Sequence, residues 1–118
     1  MNTTLTHVTD EKKVAVITTG YQLLVSAKQQ PLNKSDDPSI NIILEYCGFD
    51  QSPLGQFLGN TFWENAIKAD PYAAFQTVAR FSTDEKTAVR EMVQSLIQKD
   101  NTFMRQDIAN QLYAILQL

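Results

Sequence analysis

An all-α fold, a single compact bundle of about six helices, follows from three features of the sequence. Apolar residues recur at spacings of three and four along most of its length, the period that gathers side chains on one helical face. Helix-start signals punctuate that pattern. Asp37-Pro38, Ser52-Pro53 and Asp70-Pro71 each put a capping residue before a proline, and Ser82-Thr83-Asp84-Glu85 has the capping-box pattern. Strand-like alternation bounded by hairpin turns is absent, as are the Asn-Gly and Asp-Gly pairs of tight β-turns.

Residues 1–8 carry no periodic apolar content, which predicts a flexible lead-in followed by one helical domain over 9–118. The first helix starts near Thr9 or Asp10, with Asp10 and Glu11 in the first turn where negative charge suits the macrodipole. Val14, Ile17, Tyr21, Leu24 and Val25 form its inner stripe, and Val16, Gly20 and Leu23 widen it toward two neighbours. Pro31 ends it, because proline lacks an N–H and biases Gln30 away from helical angles.

The second helix runs from Asp37 to about Cys47, with Ile40, Ile43, Leu44 and Cys47 on one side and Gly48-Phe49 as a glycine C-cap. The third runs from Leu54 to about Ala69. Its apolar residues Leu54, Phe57, Leu58, Phe62, Trp63, Ala66 and Ile67 cover more than half its circumference, which predicts the most enclosed helix of the bundle. A short fourth helix, made by Tyr72, Phe75, Val78 and Ala79, leads to Phe81.

After the capping box, Val89, Met92, Val93, Leu96 and Ile97 share one stripe. Beyond a polar loop at Lys99 to Arg105, Ile108, Leu112, Ile115 and Leu116 share another. These closing helices, within Ser82 to Leu118, are expected to lie antiparallel, with Phe103 plugging the end of their interface. The other helices are expected to be arranged around that pair.

Composition narrows the function classes. Hydrophobic content of 43% with 19% charged residues is globular, and no apolar run approaches the roughly 20 residues of a membrane span. The opening residues lack the basic-then-apolar order of a secretory signal, so a soluble, cytoplasmic protein without membrane insertion is expected. A net charge of −3 with scattered basic residues argues against a nucleic-acid partner. The single cysteine, Cys47, rules out an internal disulfide and a thiolate cluster within one chain.

Chemistry-bearing residues are few. His7 is the only histidine and has no nucleophile near it in sequence. Cys47 falls on an inner stripe, as an unreactive buried thiol would. Serine or cysteine elbows, phosphate loops, His-Glu-x-x-His and EF-hand patterns are missing. Gly55 and Gly59 form Gly-x-x-x-Gly, read here as close internal packing and alternatively as a dimer face. Trp63 beside Phe62 cannot share one narrow stripe, so either both are enclosed by neighbours on two sides or Trp63 is an exposed anchor for a partner. Asp100, Asn101 and Asp107 flank the last loop. Their oxygens either converge on a hard cation, or Asp100 faces water and Asp107 only complements the helix dipole.

Two loops carry a resemblance. Gln98-Lys99-Asp100-Asn101-Thr102-Phe103, then Gln106 and Asp107, is matched more loosely by Lys28-Gln29-Gln30-Pro31-Leu32, then Asp36, with Leu32 and Phe103 in equivalent places. This order resembles the TerB-like family of the tellurite-resistance group, whose two similar halves each hold a helix, an Ala-Asp-Gly loop with a following apolar residue, and an acidic helix start. Here Gln29-Gln30 and Asp100-Asn101 stand at the Asp-Gly positions. The resemblance implies an all-helical pseudo-repeat, divalent-metal binding through Asp100, Asp107 and Asp36, and a role in stress-related complexes at the membrane.

The function expected is a non-enzymatic, stress-related helical module that binds another protein or itself, with no cofactor. One alternative is a divalent-metal-binding TerB-like domain. Another is a small-ligand-binding protein or enzyme of unrecognised type, which requires a sizeable cavity beside the third helix.

Overall fold

The computed structural model describes residues 3–28, Leu32, 37–99 and 106–117. A 3-10 turn at Thr4–Thr6 precedes six helices: α1 (Asp10–Lys28), α2 (Asp37–Tyr46), α3 (Pro53–Ile67), α4 (Pro71–Ala79), α5 (Thr83–Lys99) and α6 (Gln106–Leu116). Among the described residues there is no strand. The all-α bundle is the observed fold.

The capping residues act as their positions require. Ser52 is extended and its hydroxyl accepts from the Gly55 N–H at 3.0 Å, while Asp70 accepts from the Tyr72 N–H at 3.1 Å. Ser82 and Glu85 close both halves of the capping box: the Ser82 hydroxyl accepts from the Glu85 N–H at 3.2 Å, and Glu85 accepts from the Ser82 N–H at 2.9 Å. Past α2, Gly48 takes φ 94°, a left-handed value that an L side chain rarely adopts. The Phe49 N–H then reaches back to the Leu44 carbonyl at 3.0 Å, and its ring is buried.

The bundle is organised around α1. Residues 15–20 are buried without interruption, so the helix is covered on every side over that stretch. Its broadest contacts are with α4 and α3, and it also meets α2 and α6. Two threonines lie in that stretch, each with its hydroxyl satisfied: Thr18 donates to the Ala66 carbonyl of α3 at 2.9 Å, and Thr19 to the Ala15 carbonyl of its own helix at 2.8 Å. Among the described residues no buried side-chain nitrogen or oxygen lacks a partner.

Two expectations change. The closing pair is not the organiser. α5 and α6 run antiparallel, with Lys86 donating to the Gln117 carbonyl at 3.2 Å and Gln94 to the Tyr113 hydroxyl at 2.7 Å, but their contact is narrower than those of α1 with α3 and α4. The apolar stripe of α5, Ala88, Val89, Met92, Val93 and Leu96, is buried, and this helix packs mainly against α2 and the 3-10 turn. Phe103 and the side chains of Ile108 and Ile115 lie outside the described residues.

Within the first eight residues, Leu5 is fully buried against that packing. Helix α3 is also not the most enclosed, and Tyr72 of α4 points to solvent while Ala74 and Val78 point inward. A nine-residue helix has room for only a short inner stripe, and α1 already occupies the centre.

Two measurements test this frame. Leu5→Ala should cost about 2–5 kcal/mol in urea unfolding, the range for deleting a buried leucine, whereas a free lead-in would make it silent. The Glu85 carboxyl is held below the ordinary carboxylate range chiefly by the Ser82 N–H, with Lys12 at 3.0 Å adding to it. A depressed carboxyl favours the fold above its unfolded value, about 4.3, and loses that advantage as pH falls through its lower folded value. Acidification from pH 7 to 3 should therefore destabilise the wild type more than Glu85→Gln, and parallel losses would show that Glu85 contributes nothing.

Candidate functional site

Small residues mark how α3 is seated. A Cβ on Gly59 would lie 3.3 Å from both Leu44 Cδ1 and Phe49 Cβ, and one on Gly55 would overlap Asp50. The Gly-x-x-x-Gly pair therefore packs α3 closely onto the corner after α2. Half-buried Phe62 and buried Ala66 continue that inner face at helical spacing. Phe62 lies 4.9 Å from Phe49 between ring centroids, and Trp63 meets Tyr21 of α1 edge-on at 5.6 Å. The adjacent aromatics thus serve two neighbours, and Trp63 is half-buried.

The opposite face of α3 is bare. Leu54 and Phe57 are each 68% exposed and Leu58 39%, and their spacing of three and four gathers them within an arc of about 100°. Tyr72, at the start of α4, is 77% exposed. A single exposed leucine is ordinary, but a contiguous apolar patch is a recognised mark of an interaction surface.

The corner between α2 and α3 is polar and carries the carboxylates of Glu45 and Asp50. The Asp50 carboxylate accepts from the Ser52 N–H at 3.0 Å and from the Ser52 hydroxyl, and these donors, the hydroxyl foremost, hold its carboxyl below the usual range. Gln51 donates to Glu45 at 3.2 Å beside it. A depression of about 350 Å³, lined by Glu45, Gly48, Phe49, Asp50 and Gln51, opens at this corner next to the start of α3. On its core side the Lys13 ammonium lies 5.4 Å from the Phe49 ring centroid.

Two other grooves are open to solvent. One, of about 660 Å³, runs beside Tyr72 and Phe75 with Gln22, Gln76 and Gln117 on its walls. The other, of about 530 Å³, lies over α5, where the Tyr46 and Ser95 hydroxyls are 3.1 Å apart and Arg90 stacks on the Tyr113 ring at 5.0 Å.

The residues singled out for chemistry are scattered. His7 is exposed and its backbone N–H closes the 3-10 turn on the Thr4 carbonyl. Cys47 is fully buried, and burial pushes its thiol up to about 12 against a smaller opposing pull from Lys13. Asp107 is exposed in the first turn of α6, while Asp36 and Asp100 lie outside the described residues. Among the described residues no three His, Cys, Asp or Glu side chains gather as a metal-holding group. No described helix is long and apolar enough to cross a membrane.

Neither a family model, nor a curated protein, nor a solved structure matches this chain.

Leu54, Phe57 and Leu58 are what sequence periodicity misassigned, by treating all the apolar residues of this helix as interior. One signal was present. Gly55, Gly59, Phe62 and Ala66 recur at steps of four, three and four, and this stripe, small at three of its four positions, marks the close-packed face of the helix.

Ellman's reagent tests the burial of Cys47 directly. The native protein at pH 8 should release almost no chromophore and should give one equivalent in denaturant; rapid native reaction would place the thiol at the surface.

Proposed function

We propose that the protein is a non-enzymatic helical interaction module that binds another protein through the outer face of α3. The exposure of Leu54, Phe57 and Leu58 on one face carries this reading. Fully burying a leucine or phenylalanine side chain is worth about 1.5–3 kcal/mol, so three on one rigid helix make an effective anchor. Trp63, the residue expected to touch a partner, is half-buried and meets Tyr21 of α1 on another side of the helix. A cytoplasmic setting and a stress-related process belong to the same proposal, the latter through the TerB-like resemblance.

The test compares extracts passed over immobilised wild-type protein and the Leu54→Ala/Phe57→Ala variant, with bound proteins identified by mass spectrometry. A specific partner should be retained about tenfold or more less by the variant, as truncating buried anchors does, while its helical circular dichroism is unchanged. Equal retention by both proteins would remove α3 from the binding function.

Divalent-metal binding is the second reading, supported by the exposed carboxylate of Asp107 at the start of α6, the place that the resemblance assigns to a ligand. Titration calorimetry with calcium, magnesium and zinc should show heat that Asp107→Asn diminishes. Absence of heat at millimolar ion removes that reading and leaves the interaction reading intact.

A further inference from the structure

We propose that the groove between α4, α1 and the end of α6 binds an uncharged, proline-rich segment of another protein in the polyproline II conformation. This site is separate from the outer face of α3, none of whose residues lines it, and the inference goes beyond the interaction reading above.

Helical spacing builds the floor of the groove. Tyr72, Phe75, Gln76 and Ala79 stand at i, i+3, i+4 and i+7, one face of α4. Tyr72 is exposed and Phe75 half-buried, so aromatic surface is presented to solvent. Gln22 of α1 and Gln117 just beyond α6 form the walls. Gln117 takes φ 57°, the left-handed turn that often ends a helix, and Lys86 holds its carbonyl at 3.2 Å, which fixes that wall.

Charge and hydrogen bonding select the occupant. No charged residue lines the groove: the Asp70 carboxylate accepts from the Tyr72 N–H at 3.1 Å, and Arg80 is the C-cap at the far end of α4. Among the described residues no hydrogen bond engages the side-chain amides of Gln22 and Gln76, so each keeps its N–H donors for a ligand. A fitting ligand brings acceptors without charge. A polyproline II segment does so, because its backbone carbonyls have no internal partners and proline has no N–H to leave unpaired. Its rings pack on aromatic side chains, and its preset backbone loses little freedom on binding. The nine residues of α4 span about 14 Å, the length of about four such residues.

Other occupants fit less well. A docked helix has its carbonyls bonded internally and would leave the glutamine amides without acceptors. Strand addition needs a sheet edge, and among the described residues there is no strand. Small ligands are held where most of their surface is buried, whereas Tyr72, 77% exposed, stands beside an open groove. A second copy of the chain lacks the segment, since its four prolines, Pro31, Pro38, Pro53 and Pro71, stand singly and at least seven residues apart.

The experiment titrates the isotopically labelled full chain with an oligoproline of about ten residues and with a Gly-Ser peptide of equal length, observed by nuclear magnetic resonance. Oligoproline should shift the backbone amides of 72–79 and the side-chain amide resonances of Gln22 and Gln76, and should bind about tenfold or more tightly than the Gly-Ser peptide. Salt should leave its affinity nearly unchanged, because no ion pair forms. Tyr72→Ala, a change at an exposed side chain, should weaken binding about tenfold with helical circular dichroism unchanged, and Gln76→Ala severalfold. The Leu54→Ala/Phe57→Ala variant should bind oligoproline as the wild type does.

Absence of shifts at millimolar oligoproline would overturn this site, as would equal binding of the Gly-Ser peptide or unweakened binding by Tyr72→Ala. Loss of oligoproline binding in the Leu54→Ala/Phe57→Ala variant, with Tyr72→Ala silent, would overturn the groove and leave the α3 reading in place.

Discussion

Enclosure of the middle of α1, residues 15–20, is the constraint on which the rest of the structure depends. A helix buried around its circumference must be covered by several others, and α3, α4, α2 and α6 take those places. Its two buried threonines would be costly if left unpaired, since an unsatisfied buried polar group costs about 1–3 kcal/mol. Thr19 turns back onto its own helix, while Thr18 reaches the last turn of α3. A core polar residue thus becomes the tie that fixes where α3 lies. Among the described residues, no element covers the outer face of α3 at Leu54 and Phe57.

That shortage explains why α3 is greasy on a surface facing water. Its glycines bring it onto the α2 corner, its aromatics divide between Phe49 and Tyr21, and Leu54, Phe57 and Leu58 are left over. The helix is held rigidly by its capped start, by close backbone approach and by the Thr18 tie. Rigidity matters for binding, because a face already ordered loses little further freedom on association. The contact between Lys12 and Glu85 does comparable work elsewhere, pinning the start of α5 to α1, although an ion pair of this exposure contributes about 1 kcal/mol or less.

Helix starts were legible in the sequence because capping is local chemistry. Ser52, Asp70 and the Ser82–Glu85 pair needed only neighbours within a few residues to reveal what they do. The left-handed turn at Gly48 was legible for the same reason. Which faces become interior was not local. Periodicity shows that Leu54 and Phe57 share a face and says nothing about whether any helix is left to cover it. The same gap hid the burial of Leu5, an isolated apolar residue without a period, and the exposure of Tyr72. The loops that carry the TerB-like pattern, with Asp36 and Asp100, lie outside the described residues, so the metal expectation meets the structure only at Asp107.

Hydroxyl-radical footprinting of the dilute native protein probes the central claim, a helix enclosed at the middle and a bare apolar face on its neighbour. Labelling should be heavy at Leu54, Phe57 and Tyr72 and nearly absent at Leu24, Phe81 and Leu96, which are buried. Protection of Phe57 to the level of Phe81 in a monomeric sample would mean that α3 is covered from both sides, and the account of this protein as a one-sided docking scaffold would be wrong.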